Sequence, residues 1–205
     1  FTGSNERVGN MTVADLVGDI VLYGKFGVDC DIDLIHGVEN GAFADIVAKQ
    51  GSIDYDQLMF FTDEVLRRYP AMDGNRLAVM GISYGGFTSN WIIGHTSRFA
   101  AAVSQRSFCN PISDFGNSCL GYTFDVDQFA GTPWDNLDRL WDHAPLKYAP
   151  DCTTPTLFIH ALEDYNCPLS QGFEMFSALK YHGVTCEMVL FKGENHELSR
   201  SGKPL

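Results

Sequence analysis

Apolar positions recur along the chain at two different spacings, and their alternation predicts a parallel sheet covered by helices. Residues 55–69 carry apolar side chains at helical spacing, and Pro70 ends the pattern. Residues 76–81 follow as a short apolar run, which is typical of a buried strand. A second, amphipathic helix is predicted over 84–95. The pattern thus predicts helix, strand and helix in succession.

The second half of the chain continues this alternation. Residues 100–104, 156–160 and 186–191 are predicted strands, and 171–182 is predicted to be an amphipathic helix that ends before Gly183. Because strands and helices alternate, we expect an α/β fold with a mostly parallel central sheet and helices on both of its faces.

Two segments depart from the pattern. Residues 108–135 are rich in Gly, Asn, Asp and aromatic side chains, which predicts a long irregular excursion of the kind that forms lids or binding loops. Residues 16–23 fit either a strand or a short helix. We therefore expect an uncertain N-terminal segment over 1–41 and an α/β core over 42–205.

The composition indicates one ordinary soluble domain. The chain has 205 residues, 45% of them hydrophobic, which is enough for a sizeable core but short for two domains. No run approaches the roughly 18 consecutive apolar residues of a membrane span. The start at Phe1 lacks the regions of an intact signal peptide. The formal net charge of −12, with no Lys/Arg cluster, argues against a nucleic-acid partner.

The six cysteines form no recognisable metal or redox motif. They stand at positions 30, 109, 119, 152, 167 and 186, with no C-x-x-C pair and no histidine at zinc spacing. We therefore predict no metal and no cofactor, and reduced thiols in a cytoplasmic protein. Three disulfides remain an alternative because the count is even.

A candidate nucleophile follows the predicted strand 76–81. The residues GISYG at 81–85 fit G-x-S-x-G, in which a serine stands on a tight turn between a strand and a helix. Glycines let the two elements approach closely, and the turn exposes the hydroxyl of Ser83. The backbone N–H of Tyr84 can then face a developing oxyanion. The alternative is a glycine-rich turn with an incidental serine.

Chain order selects the partners of this serine. In α/β-hydrolases the order is Ser, then Asp or Glu, then His. Asp164 follows a predicted strand by a short loop, and His196 lies in the loop after the last strand. We predict that His196 takes the serine proton and that Asp164 orients the imidazole. Glu163 is a weaker candidate for the acid, and His160 is predicted to be a structural, hydrogen-bonded histidine.

Longer motifs surround these residues. They are GISYGGF (81–87), NWI (90–92), AVSQRS (102–107), GTPW (131–134), PLKY (145–148), PTLFIH (155–160), ED with CP (163–168) and ENHELSRSGKP (194–204). Together they resemble the peptidase domain of prolyl oligopeptidase-type serine peptidases, in the acylaminoacyl-peptidase and dipeptidyl-peptidase-like branch. The resemblance implies an α/β-hydrolase fold, with Ser83 as nucleophile, Asp164 as acid and His196 as base. It also implies removal of short N-terminal units, acylated or free, from peptides.

The chain departs from that family in three ways. No segment could form the family's N-terminal β-propeller. The upstream His-Gly-Gly-Pro-like loop, which supplies a second oxyanion donor, is missing, and the residues HGV at 36–38 are a partial echo. The chain stops at Leu205, where the family continues into a closing helix. Truncation at both ends, with impaired activity, therefore stays open, since one lost oxyanion donor costs roughly a hundred- to a thousandfold in turnover.

Other residues are candidates for substrate contact. Arg106 could meet a substrate carboxylate or carbonyl, or could form a structural ion pair. We expect one or two of six aromatic side chains to line a hydrophobic specificity pocket and most of them to serve core or lid packing: Phe108, Phe115, Tyr122, Phe124, Phe129 and Trp134. The expected function is a serine peptidase acting on short peptides or acyl-amino acids. A carboxylesterase and a non-catalytic binding module are the alternatives, and homo-oligomerisation could gate access in place of a propeller.

Overall fold

Strands and helices alternate along the chain as the hydrophobic pattern predicts. The structure, a computed structural model, describes residues 47–198 and the backbone of three short strands before them. Its strands are β1 (Arg7–Val8), β2 (Met11–Thr12), β3 (Val21–Tyr23), β4 (Ala78–Ile82), β5 (Ala101–Gln105), β6 (Thr156–Ala161) and β7 (Cys186–Phe191). Its helices are α1 (Ile53–Arg68), α2 (Tyr84–His95), α3 (Pro111–Asn117), α4 (Val126–Phe129), α5 (Leu137–Asp142) and α6 (Leu169–Tyr181), with a π-helix at Gly121–Asp125 and a 3₁₀ helix at Pro145–Asp151.

One sheet carries the fold. Its strand order is β3–β4–β5–β6–β7, with β3 antiparallel to β4 and the remaining neighbours parallel. Strands β1 and β2 pair antiparallel with each other in a separate two-stranded sheet. Because β4 to β7 run in one direction, the loops that follow them lie at the same edge. Ser83, Arg106, Asp164 and His196 all belong to those loops.

The helices are formed for different reasons. Helix α1 has acidic residues in its first turn and arginines in its last, which complements the helix dipole, and it buries Leu58, Phe61 and Val65. Burial of each such side chain contributes roughly 1.5–3 kcal/mol. Helix α2 is buried from Gly85 to Gly94 and contacts β4 and β5. The prediction that α2 is amphipathic is therefore wrong, because a helix enclosed by other elements has no polar face.

The predicted elements agree with the structure to within two residues at each boundary, apart from one segment. The irregular excursion predicted over 108–135 is wrong, because it contains α3, the π-helix and α4. Each of these helices has seven residues or fewer, which is too short to display a helical period in the sequence.

The N-terminal predictions are largely outside the described residues. Residues 21–23 form strand β3, which resolves that part of the ambiguous segment 16–23 as a strand. The predicted boundary between 1–41 and 42–205, the HGV residues at 36–38 and Cys30 lie outside the described residues. The domain division stays a prediction.

Candidate active site

Ser83 occupies the turn between β4 and α2 that the G-x-S-x-G pattern predicts. Its φ of 58° and ψ of −118° are strained for a residue other than glycine. Its N–H donates to the Gln105 carbonyl at the end of β5, at 3.0 Å. A Cβ on Gly86 would lie 2.5 Å from the Cβ of Ser107 and 2.8 Å from the Gln105 oxygen. The glycine is thus needed for the start of α2 to approach β5.

The structure brings the three predicted triad residues together. His196 Nε2 lies 3.0 Å from Ser83 Oγ. His196 Nδ1 lies 2.8 Å from Asp164 Oδ2 and 3.0 Å from Asp164 Oδ1. A carboxylate only accepts hydrogen bonds, so Nδ1 carries the proton and Nε2 is the acceptor that faces the serine hydroxyl. This tautomer is the one that general-base chemistry requires.

The Asp164 carboxylate is fixed by its own loop. Its Oδ1 accepts the N–H of Asn166 at 3.0 Å and the N–H of Cys167 at 2.9 Å. The side chain is fully buried, whereas the ring of His196 is 15% exposed. Burial of a carboxylate is costly unless it is hydrogen-bonded. The two backbone donors and the imidazole together satisfy that requirement. Glu163, the weaker candidate for the acid, is exposed.

His160 lies beneath the same loop. Its Nε2 donates to the Cys167 carbonyl at 2.7 Å, and its ring is 1% exposed. Burial lowers the pKa of His160, because desolvation disfavours the charged ring. A Cβ on Gly172 would lie 2.7 Å from His160 Nδ1, so this glycine of α6 makes room for the imidazole. The prediction of a structural, hydrogen-bonded histidine is confirmed.

Tyr84, the predicted oxyanion donor, is the first residue of α2. The N–H groups of a first helical turn have no acceptor within their own helix, and the helix dipole favours negative charge there. The Tyr84 hydroxyl donates to Asp54 Oδ2 at 2.8 Å, and burial, reinforced by Asp54, raises the pKa of Tyr84 well above its usual value. This contact ties the start of α2 to the start of α1. Oxyanion binding by Tyr84 stays a prediction.

Arg106 lies at the site, directly after β5. Its side chain is buried, with the residue 4% exposed, and its Nη1 donates to the backbone carbonyl of His196. The backbone of Arg106 adopts a φ of 36° and donates its N–H to the Ile159 carbonyl at 2.7 Å. Substrate contact by Arg106 is not tested by this geometry and stays a prediction.

Comparison with known proteins decides the family. A sequence profile described as the prolyl oligopeptidase family matches residues 39–204. The chain belongs to this family. It is 46% identical over 154 residues to the uncharacterized peptidase YuxL of Bacillus subtilis, a match that covers 75% of the chain and 23% of YuxL. It is 31% identical over 159 residues to dipeptidyl-peptidase 5 of Schizosaccharomyces pombe, covering 75% of the chain and 23% of that protein.

A solved structure shows which fold the chain has. The acylaminoacyl peptidase of Pyrococcus horikoshii superposes with a TM-score of 0.76 and 30% sequence identity, over 80% of the chain and 27% of that protein. The expected α/β-hydrolase fold is therefore confirmed. The chain spans less than a quarter of the length of the curated relatives described above.

Residues 108–142, here called the helical segment, form the side of this family member next to the Asp164 loop. Ser118 Oγ donates to the Asn166 carbonyl at 2.6 Å, and the N–H of Cys119 donates to the Tyr165 carbonyl at 2.8 Å. These bonds join the helical segment to the loop that carries the acid. The helical segment is therefore anchored to the loop of Asp164.

The six candidate aromatics of the helical segment fall into two groups. Phe108 and Phe129 pack around the buried Phe87 of α2, with ring centroids 4.7 and 6.2 Å away. Phe115 and Phe129 also face each other across a narrow gap that has no room for a water molecule. The remaining three are exposed: Tyr122 by 70%, Phe124 by 46% and Trp134 by 80%. The expectation that most of these rings serve packing thus fits only the first group.

A pair of buried carboxyl groups, which the sequence analysis missed, supports the helical segment. Asp114 of α3 and Asp125 of the π-helix are 2% and 8% exposed and lie within interaction distance of each other. Burial, together with that contact, raises the pKa of Asp114 to about 9, and burial also raises the pKa of Asp125. Two facing carboxyl groups can hydrogen-bond only if one of them is protonated, and the raised pKa values favour that state.

Cys167 is a third residue for which the sequence predicts no place at the site. Its Sγ lies 3.9 Å from Ser83 Oγ. Burial raises the pKa of Cys167 well above its usual value, and Asp164 and Asp114 add to the effect. The thiol therefore stays neutral beside the serine hydroxyl. No sequence pattern indicates that Cys167 lies beside Ser83, or that Asp114 and Asp125 lie beside each other.

Within residues 47–198, no group of three or more His, Cys, Asp or Glu side chains is arranged to hold a metal ion. The five cysteines of that range are free. None of the helices in the described part of the chain is both long and apolar enough to cross a membrane.

Proposed function

We propose that this chain is the catalytic core of a serine peptidase that cleaves short peptides or N-acylated aminoacyl groups through an acyl-enzyme. One observation carries the proposal. His196 Nε2 lies 3.0 Å from Ser83 Oγ while Nδ1 is held by Asp164 at 2.8 Å. A nucleophile, a base and an orienting acid within hydrogen-bond reach of one another are the signature of an activated serine.

The chemistry follows from these contacts. Ser83 Oγ attacks the scissile carbonyl carbon while its proton passes to His196 Nε2. The carbonyl oxygen becomes an oxyanion, which the Tyr84 N–H stabilises. The C–N bond then breaks, and the leaving amine takes the proton from His196. Water, deprotonated by the same imidazole, attacks the ester carbon; the bond to Ser83 Oγ then breaks, the acid leaves, and His196 returns the proton to Ser83 Oγ. Asp164 stabilises the imidazolium in both halves of the cycle.

The substrate class rests on the relatives. The solved neighbour is an acylaminoacyl peptidase, and one relative is a dipeptidyl-peptidase. Both names describe the release of a short unit, which supports a short peptide or acyl-amino acid as the substrate here. Because the chain spans under a quarter of its curated relatives, the activity of the whole protein is part of the proposal.

Carboxylesterase activity is the second candidate, because esters and amides share the acyl-enzyme route. We expect turnover of both an acyl-amino-acid anilide and a p-nitrophenyl ester. Cleavage of the ester alone would exclude the peptidase and leave the esterase. A binding module without catalysis predicts neither reaction.

The first test is covalent labelling of the intact protein. We expect a fluorophosphonate to add one stoichiometric mass increment to the wild type and none to Ser83→Ala. Ser97→Ala removes an exposed hydroxyl just after α2 and should label like the wild type. An unlabelled wild type with a native circular dichroism spectrum would overturn the proposal, because the serine would then not be activated.

We also propose a cytoplasmic compartment and a homo-oligomeric state. Free cysteines in the described range support the former, since oxidising compartments favour disulfides. The homo-oligomer is proposed because a second copy of the chain would control the access of substrate to the site. A monomer in light scattering would refute the oligomer, and the absence of free thiols in a titration of native protein would refute the compartment.

A further inference from the structure

The end of β5 contacts the nucleophile, the base and the strand that precedes the acid loop. The carbonyl of Gln105 accepts the N–H of Ser83 at 3.0 Å. The next residue, Arg106, donates its backbone N–H to the Ile159 carbonyl of β6 at 2.7 Å and its guanidinium Nη1 to the carbonyl of His196. The end of β5 thus joins the strand that precedes the acid loop to the nucleophile and the base.

The conformation of Arg106 is unusual for its residue type. Its φ of 36° lies in the left-handed region, which a residue with a Cβ adopts only at a cost. Its long cationic side chain is also buried, which is unfavourable unless the guanidinium is hydrogen-bonded. Such costs persist where the surroundings over-determine a conformation, and they cluster at functional sites. The backbone conformation and the burial of Arg106 therefore indicate a functional role for this side chain.

The contacts of the loop that carries His196 indicate what this role is. Residues 192–198 follow β7, and the imidazole of His196 projects from this loop toward Ser83. A contact with the ring alone does not fix the backbone from which it projects. The carbonyl of His196 is held by the guanidinium, and the carbonyl of Glu194 is held by the N–H of Glu163 at 3.0 Å. A hydrogen bond from a charged donor is stronger than one between neutral groups.

We propose that Arg106 is a positioning residue for the reaction. Through its hydrogen bond to the His196 carbonyl it fixes the backbone of the base, and thereby the distance between Nε2 and the serine oxygen. This inference rests on the proposed function, in which His196 is the base. It differs from the substrate-binding role predicted from the sequence, because the guanidinium acts on the enzyme's own backbone.

The test compares Arg106→Met, which keeps much of the volume, with Arg106→Lys, which keeps a charged donor. A displacement of about 1 Å between reacting groups costs roughly a hundredfold in rate. We expect Arg106→Met to lower kcat by about 10- to 100-fold and to leave KM within about twofold. Arg106→Lys should recover a large part of kcat. Arg98→Met, which removes an arginine paired with Asp63 elsewhere, is the control and should keep wild-type kcat.

A substrate-binding role gives a different result. KM would then rise with kcat unchanged in Arg106→Met, and that outcome would overturn the inference. Equal kcat values in the wild type and Arg106→Met would overturn it as well, while leaving the proposed function intact.

A second readout does not depend on turnover. In protein labelled with ¹⁵N-histidine, the Nδ1–H signal of His196 reports its hydrogen bond to Asp164. We expect this signal to shift and to exchange faster with solvent in Arg106→Met, and to be restored in Arg106→Lys. An unchanged signal would overturn the positioning role even if the wild type proved inactive. A wild type that fails to react with a fluorophosphonate while the signal responds would instead refute the proposed function.

Discussion

The two sides of the candidate active site are built in different ways. On one side, Ser83, Asp164 and His196 stand on short loops at the edge of the parallel sheet, and backbone hydrogen bonds fix them. On the other side, the helical segment (residues 108–142) consists of helices of four to seven residues, with several large aromatic rings exposed to solvent.

The two sides of the site therefore suit two different tasks, the chemical step and the binding of substrate. The sheet edge holds polar groups at fixed distances in buried surroundings, which suits a reaction that requires preorganised geometry. The helical segment has short elements and exposed side chains, and such regions open at low free-energy cost. We infer that the sheet edge performs the chemistry and that the helical segment adapts to the substrate.

The largest effect is expected from Asp164→Asn. An amide has the same shape, but its NH₂ can face His196 Nδ1 only if that nitrogen is an acceptor. The proton then lies on Nε2, which can no longer take a proton from Ser83. We expect kcat to fall by about 10⁴-fold, measured with an acyl-amino-acid anilide.

Glu163→Gln is the matched control for Asp164→Asn. It makes the same chemical change at the neighbouring residue, whose side chain is exposed. We expect it to keep wild-type kcat. If both variants lost activity to the same extent, the assignment of Asp164 as the orienting acid would be wrong.

The sheet-edge residues could be predicted because their signals are local. Glycines on both sides of Ser83 mark a tight turn, and chain order places the acid and the base after successive strands. The positions of Asp164 and His196 follow once the strands are recognised from their apolar runs. Short loops after parallel strands leave few other places for these side chains.

The helical segment could not be predicted in the same way. Its helices are shorter than the window in which a period becomes visible. Asp114 and Asp125 become partners only when α3 and the π-helix pack together, and nothing in the sequence marks either aspartate as buried. The contact between Arg106 and the His196 carbonyl also joins residues 90 positions apart through a backbone atom, which carries no side-chain signal.

The next largest effect concerns the acid pair of the helical segment. The pKa of Asp114 is raised to about 9 in the folded protein, so between roughly pH 4 and 9 the folded state holds a proton that the unfolded state lacks. The free energy of unfolding therefore falls as the pH rises over this range, by at most about 1.4 kcal/mol per pH unit. Above pH 9 the stabilisation that this proton provides is fully lost. Asp114→Asn keeps a donor toward Asp125 and should flatten that slope in urea unfolding between pH 6 and 9.

Asp127→Asn removes an exposed carboxylate two residues beyond Asp125 and is the control for this change. It should keep the wild-type slope of unfolding free energy against pH. Parallel slopes in the wild type and Asp114→Asn would show that the pair holds no proton at neutral pH, which would contradict the assignment.

The smallest effect on stability is expected from Trp134→Ala in the helical segment. Trp134 is 80% exposed, and its ring meets Phe115 edge-on at 5.1 Å between centroids. Because so little surface is buried, the free energy of unfolding should change by about 0.5 kcal/mol or less. The exposed indole is available to pack against an apolar substrate side chain, so its loss should weaken binding of such a side chain. We expect KM for a phenylalanine-type substrate to rise by about 2- to 10-fold, with kcat unchanged.

Tyr181→Ala, at the end of α6, removes an aromatic ring that is 85% exposed and lies outside the helical segment. It should leave KM unchanged, because this ring lies outside the segment that is inferred to adapt to the substrate. An equal rise of KM in both variants would contradict the local role of Trp134. A fall in kcat with Trp134→Ala would contradict the division of tasks between the two sides. The helical segment would then contribute to the chemical step as well as to substrate binding.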